Sequence, residues 1–137
     1  MGCQSLNILI VDDQPGVRYL LDAVVKEDGH NSYLATNGME AVEMVRKIEP
    51  NLVFMDIRMP VMDGTKALEK INELGCNTDV VIMTAFTEKD VIDKAYKNGA
   101  VRCIIKPFDV DDIRKIIKEA AIKKLPEVEE LPKVKVL

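Results

Sequence analysis

The stretch NLVFMDIRMP, Asn51 to Pro60, decides the fold. Four apolar residues, Leu52 to Met55, run straight into Asp56, and Pro60 follows soon after. A run that is apolar on both faces reads as a strand covered on both sides, as in a parallel sheet. Such a strand has no evident use for a negative charge at its end. Taken alone, Asp56 would simply open a solvated loop. The reading changes when other strands deliver matching groups to the same place.

They do. NILIV (Asn7 to Val11), SYLAT (Ser32 to Thr36), VVIMT (Val80 to Thr84) and VRCII (Val101 to Ile105) read as further strands. SYLAT is more polar and belongs nearer an edge. Helical patterns separate them. Pro15 suits the first turn of one helix, whose inner face carries Val17, Leu20, Leu21, Val24 and Val25 up to Asp28-Gly29. Asn37-Gly38 leads into a second helix that stops before Pro50, and Asp63-Gly64 into a third closed by Gly75. Thr87-Glu88 opens a short fourth helix ended by Asn98-Gly99, and Asp109 caps a fifth. Strict alternation with short connections predicts an α/β fold: a doubly wound, five-stranded parallel sheet with helices on both faces. Residues 1–124 form the domain, and residues 125–137, with their prolines and mixed charges, read as a flexible tail or linker stub.

Composition narrows the class. The 137 residues carry a net charge of −4 and are 47% hydrophobic and 31% charged, the balance of a soluble globular domain without a basic nucleic-acid face. Cys3, Cys76 and Cys103 are odd in number and widely spaced. That argues against a disulfide framework or zinc site and fits a reducing cytoplasm. No run is long enough to span a membrane. MGCQSL has Leu6 where a myristoylation signal needs Ser or Thr. The P-loop and Rossmann glycine patterns are absent.

In a parallel sheet all strands end along one edge, and ligands bind outside it. The first strand ends with Asp12-Asp13, the third with Asp56, the fourth with Thr84 and the fifth with Lys106. Each has a plain structural use; Asp12 or Asp13 could cap the next helix, for example. All four falling by chance at the ends of apolar strands is improbable. Three close carboxylates repel unless a cation holds them, and a hard divalent ion such as Mg²⁺ or Mn²⁺ resolves the conflict. Lys106 and Thr84 can hold two oxygens of a phosphoryl group, and phosphoryl transfer needs little beyond positioning and charge neutralisation. A carboxylate can itself be the nucleophile, giving an aspartyl phosphate. Asp56, central and single, is the natural acceptor, and the paired Asp12 and Asp13 the natural metal holders.

ILIVDD (Ile8 to Asp13), MDIRMPVMDG (Met55 to Gly64), VIMTA (Val81 to Ala85) and KPF (Lys106 to Phe108) together resemble the receiver domain of two-component response regulators. The resemblance covers about the first 124 residues. It implies a flavodoxin-like sheet of order 2-1-3-4-5 and phosphorylation of Asp56. It also implies a metal on Asp12 or Asp13, Asp56 and the backbone carbonyl of Arg58, a switch role for Thr84, a phosphoryl contact for Lys106 and a cis Lys106-Pro107 bond. Such a domain catalyses its own phosphorylation and dephosphorylation but turns over no independent substrate. Many receivers carry an aromatic switch residue where this chain has Cys103, so output would rest on loop ordering around Thr84 instead. Phe86 and Arg58 flank the approach of water, which predicts a long-lived phosphoryl group.

IVDDQPGVRYLL, ATNG and VVIMTAFTEKD resemble the single-domain regulator of the sporulation phosphorelay. That resemblance implies a sensor histidine kinase as donor and a four-helix histidine phosphotransferase as acceptor. It assigns docking to Gln14, Pro15, Gly16, Arg18, Leu21 and Phe108. No output domain follows in the sequence, so another protein is expected to read the phosphate. The alternatives are a chemotaxis-type receiver, against which Cys103 counts, and the receiver part of a DNA-binding transcription factor. An aspartyl-nucleophile phosphatase would need a second acid where Arg58 stands. A histidine phosphotransferase would need a histidine on a helix face, and His30 lies in the turn DGHN.

Overall fold

The computed structural model describes residues 5–85 and 89–122. Five strands, β1 (Asn7–Val11), β2 (Asn31–Ala35), β3 (Leu52–Asp56), β4 (Asp79–Thr84) and β5 (Arg102–Ile105), form one parallel sheet of order β2-β1-β3-β4-β5. Five helices alternate with them: α1 (Pro15–Glu27), α2 (Gly38–Ile48), α3 (Gly64–Leu74), α4 (Lys89–Lys97) and α5 (Val110–Ala121). The polar β2 is an edge strand, as its composition predicts.

Alternation along each strand divides the core in two. Ile8, Ile10, Leu52, Phe54, Val81, Met83 and Ile104 pack under α1 and α5. Leu9, Val11, Val53, Met55, Val80 and Ile82 pack under α2, α3 and α4. This period of two also places the site. Asp12, Asp56 and Lys106 lie two residues beyond Ile10, Phe54 and Ile104, so three charges top the same core layer.

Some boundaries differ from the sequence reading. β2 starts at Asn31, whose N–H donates to the Leu6 carbonyl, and loses Thr36. The Thr36 N–H and hydroxyl instead donate to the Glu40 carboxylate, at 2.7 and 2.9 Å, while the Asn37 side chain caps α2. On α1, Leu20 points outward and is 44% exposed, and the core takes Leu21, Val24 and Val25. The α1 N-cap is Gln14 and no side chain caps the helix there; Asp63 and Asp109 do cap α3 and α5. The histidine of the DGHN turn is half-buried, its Nδ1 accepting the Leu6 N–H at 2.9 Å. The proposed tail, like Phe86, Thr87-Glu88 and Cys3, lies outside the described residues.

The loop from β3 to α3 contains a strained turn. Met62 N–H donates back to the Pro60 carbonyl at 2.7 Å, and Val61 between them has a φ of 68° and is 73% exposed. A β-branched residue there costs roughly 1–2 kcal/mol in Cβ–carbonyl crowding, against roughly 0.5–1 kcal/mol of extra unfolded-state freedom that glycine would bring. Val61→Gly should therefore stabilise the fold by roughly 0.5–1 kcal/mol, measurable by urea unfolding.

Candidate functional site

The strand ends converge as the sequence predicts. Asp12 is fully buried and every polar atom it has is engaged: its N–H donates to the Ala35 carbonyl, and its Oδ1 accepts the Gln14 N–H at 3.0 Å. Its Oδ2 accepts from Lys106 Nζ at 2.7 Å, and its carbonyl accepts from Arg18 Nη1 at 2.8 Å. The Asp12 carboxylate thus answers the loop and Lys106 rather than capping α1. Lys106 Nζ also lies 3.3 Å from Asp56 Oδ1, bridging the acids that end β1 and β3. The Lys106 N–H donates to the Thr84 carbonyl at 2.8 Å, tying the ends of β4 and β5. The Lys106–Pro107 bond is cis.

Ligand atoms of Asp12, Asp13 and Asp56 lie within 4.8 Å of one another, two of these residues buried and Asp13 exposed to water. One ammonium cannot neutralise three carboxylates. Hard oxygens at this spacing, open on one side, form a donor set that fits a divalent cation of the Mg²⁺ kind. The strain shows in Asp56: burial pushes its carboxyl up, Lys106 pulls it back, and Asp12 and Asp13 push it up again. A carboxyl whose folded pKa is raised favours the fold while protonated. That contribution is full below the unfolded value and fades as pH rises through the folded one, so at neutral pH Asp56 burdens the metal-free protein.

Two glycines shape the same edge. A Cβ on Gly64 would collide with the Asp56 carbonyl oxygen and the Ile57 Cα, and the Gly64 N–H donates to the Ile57 carbonyl at 2.7 Å. A Cβ on Gly38 would strike the Met62 carbonyl, which instead accepts the Gly38 N–H at 2.9 Å. The loop after Asp56 is thereby pressed against the starts of both α2 and α3. Beside it opens a groove of about 470 Å³ lined by Ile57, Arg58, Met59, Asp63, Thr65, Val91 and Lys94. Arg58 is exposed there, and Thr84 is buried at the end of β4.

The residues assigned to docking separate. Gln14, Pro15 and Gly16 are exposed at the mouth of the site. Phe108 is half-buried against the α1/α5 core. Leu21 is wholly buried in that core, because α1 turns it toward β1 and β3, so it is not part of a surface. The outer side of α1 carries Tyr19 and Leu20 instead, 63% and 44% exposed. The sequence signal for them is the i, i+4 spacing from Pro15 and Gly16.

Cys103 is buried as well, and the structure shows what accompanies it. The Tyr96 hydroxyl, reaching across from α4, accepts the Cys103 N–H at 3.1 Å. Burial pushes the Cys103 thiol up to about 12 and raises the Tyr96 hydroxyl. Tyr96 of α4 thus meets β5 at Cys103 through its hydroxyl.

Comparisons with known proteins agree with this geometry. The model of the family described as "response regulator receiver domain" matches residues 8–118. The chain is 42% identical to "Sporulation initiation phosphotransferase F" of Bacillus subtilis, over 82% of this chain and 91% of that one. It is 41% identical to "Regulatory protein AtoC" of Escherichia coli, over 83% of this chain but only 25% of that one. Among solved structures, a CheX–CheY–BeF₃–Mg²⁺ complex from Borrelia burgdorferi is similar with a TM-score of 0.79 and 29% identity, covering 86% of this chain and 90% of the other. The strand order, the acid–lysine edge and the family match together give one conclusion: the chain belongs to the family of two-component response regulator receiver domains.

Proposed function

We propose that this receiver takes a phosphoryl group from a sensor histidine kinase onto Asp56 and relays it to a histidine on a four-helix phosphotransferase, as in a sporulation-type phosphorelay. The observation that carries the relay reading is the outer face of α1. Pro15, Gly16, Tyr19, Leu20 and Ala23 are all exposed and uncharged, at i, i+1, i+4, i+5 and i+8, and the stripe begins at the mouth of the acid site. A helix with such a stripe suits packing against another helix, which brings a helix-borne histidine to Asp56. The similarity to the sporulation phosphotransferase over nearly its whole length supports the same reading.

In the forward step an Asp56 carboxylate oxygen attacks phosphorus. A P–O bond forms, the P–N bond of the phosphohistidine breaks, and the imidazole leaves with the electron pair. In the relay step an acceptor imidazole nitrogen attacks phosphorus and Asp56 departs as the carboxylate. Lys106, already within reach of both acids, turns its ammonium to a phosphoryl oxygen, and Thr84 supplies a hydroxyl donor. Asp12, Asp13, Asp56 and the Arg58 carbonyl would hold Mg²⁺ or Mn²⁺, which neutralises charge on the carboxylates and the phosphoryl oxygens. No described helix is long and apolar enough to cross a membrane, and the proposed setting is the cytoplasm. No nucleic acid takes part in this scheme.

The test is a transfer assay. The protein is labelled by a histidine kinase with Mg²⁺, and a purified four-helix phosphotransferase is then added. Label that enters the protein and moves to the histidine supports the relay. Label that enters and stays sinks the relay and favours a partner-binding or transcription-linked receiver, the latter in keeping with the partial coverage of AtoC. The exposed Arg58 also bears on decay: an Arg58→Ala, Phe86→Ala variant should lose its phosphoryl group faster than the native protein. Slower decay in the variant would contradict that shielding role.

A further inference from the structure

We propose that Arg18 is a positioning residue for the acidic cluster, fixing the peptide that joins Asp12 to Asp13 so that both carboxylates meet one cation. The proposal rests on reading Asp12, Asp13 and Asp56 as a cation site. Arg18 lies in the first turns of α1 and is half-buried. Its Nη1 does not project to a docking surface; it donates to the Asp12 carbonyl oxygen at 2.8 Å. That oxygen belongs to the peptide plane whose other side carries Asp13.

The other atoms of Asp12 are held by Ala35, Gln14 and Lys106. Those contacts fix the N–H and the carboxylate of Asp12, and the Gln14 N–H closes a turn over the following peptide, but none of them holds that peptide's carbonyl oxygen. Arg18 holds that carbonyl, from a helix that is itself anchored by Leu21, Val24 and Val25 in the core. Asp13 is exposed, so its direction depends on the backbone that carries it rather than on close packing.

A guanidinium beside a divalent cation repels it, so a purely electrostatic Arg18 would weaken metal binding and its removal would tighten it. A positioning Arg18 does the opposite. Supports that orient a metal ligand typically contribute 10–100-fold to affinity, and a contact through a backbone carbonyl belongs at about the lower end, roughly tenfold.

The experiment titrates the 137-residue protein with Mn²⁺, free ion being read by electron paramagnetic resonance, without phosphodonor or partner. Arg18→Met keeps the aliphatic stem and the helix while removing the donor. Its dissociation constant should rise about tenfold, and Arg18→Lys, which keeps the charge and one donor, should fall between Arg18→Met and native protein. A second readout separates positioning from general damage. In labelling by a small phosphodonor, Arg18→Met should need more Mn²⁺ for half-maximal rate while approaching the native rate at saturating metal. Equal or tighter Mn²⁺ binding by Arg18→Met overturns the proposal. If that variant then loses only transfer from a protein partner, Arg18 is a docking residue after all. Native protein that binds no Mn²⁺ would overturn the cation site itself, a failure distinct from that of Arg18.

Discussion

Replacing Lys106 by alanine should nearly abolish labelling of the protein and destabilise it at once. The two effects share a cause. Lys106 Nζ sits 2.7 Å from Asp12 Oδ2 and 3.3 Å from Asp56 Oδ1, and Asp12 is fully buried. Removing one partner of a buried pair strands the other charge, at a cost of about 3–5 kcal/mol when water cannot reach it. Here Asp12 keeps the Gln14 N–H and the site opens on one side, so a loss of about 2–3 kcal/mol is expected. Urea unfolding without divalent ions measures it, and added Mg²⁺ should shrink the loss. The rate of labelling by a small phosphodonor should fall about a hundredfold or more, since a fixed cation on the transferring group is gone. Unchanged stability would mean that the acids do not depend on Lys106.

Gly64→Ala should be the most disruptive small substitution. Its Cβ would meet the carbonyl oxygen of Asp56 and the Cα of Ile57, both backbone atoms with little freedom to retreat. Overpacking against such atoms costs about 3 kcal/mol. The strain falls on the acceptor's own peptide, so labelling should also drop in whatever fraction remains folded. Gly16→Ala is the useful contrast. Nothing lies within 4 Å of its added Cβ, and a helical Gly→Ala change should be neutral or stabilising by up to about 1 kcal/mol. Thermal unfolding of the two variants side by side decides the matter. Equal midpoints would show that α3 can shift away from β3 without cost.

Much of this was legible in the sequence because it follows from alternation. Apolar runs that end in Asp12, Asp56 and Lys106 place those residues in phase above Ile10, Phe54 and Ile104, and a parallel sheet brings the ends together. Features that depend on contacts between distant segments were not legible. The competition for Thr36 between the β2 ladder and Glu40 trims a strand that residue propensities alone would extend. Leu20 and Leu21 are chemically alike, and only the pitch of α1 against the sheet decides that Leu21 is core and Leu20 is surface. The Arg18 contact goes to a backbone carbonyl, which has no residue signature at all. Tyr96 and Cys103 meet across an α4–β5 packing that no short motif encodes. Helical spacing had put Leu21 on the inner face of α1, where it is buried; the resemblance that assigned Leu21 and Arg18 to docking carried no information on packing, which buries the one and turns the other to the Asp12 carbonyl.

The most direct test of Asp56 as phosphoacceptor is the intact mass of the 137-residue protein after incubation with a small phosphodonor, with and without Mg²⁺, beside Asp56→Asn. The native protein should gain a single phosphoryl group in the presence of the cation. Asp56→Asn should show no such gain. Equal labelling of Asp56→Asn, or label mapped to another residue of the native chain, would contradict that role.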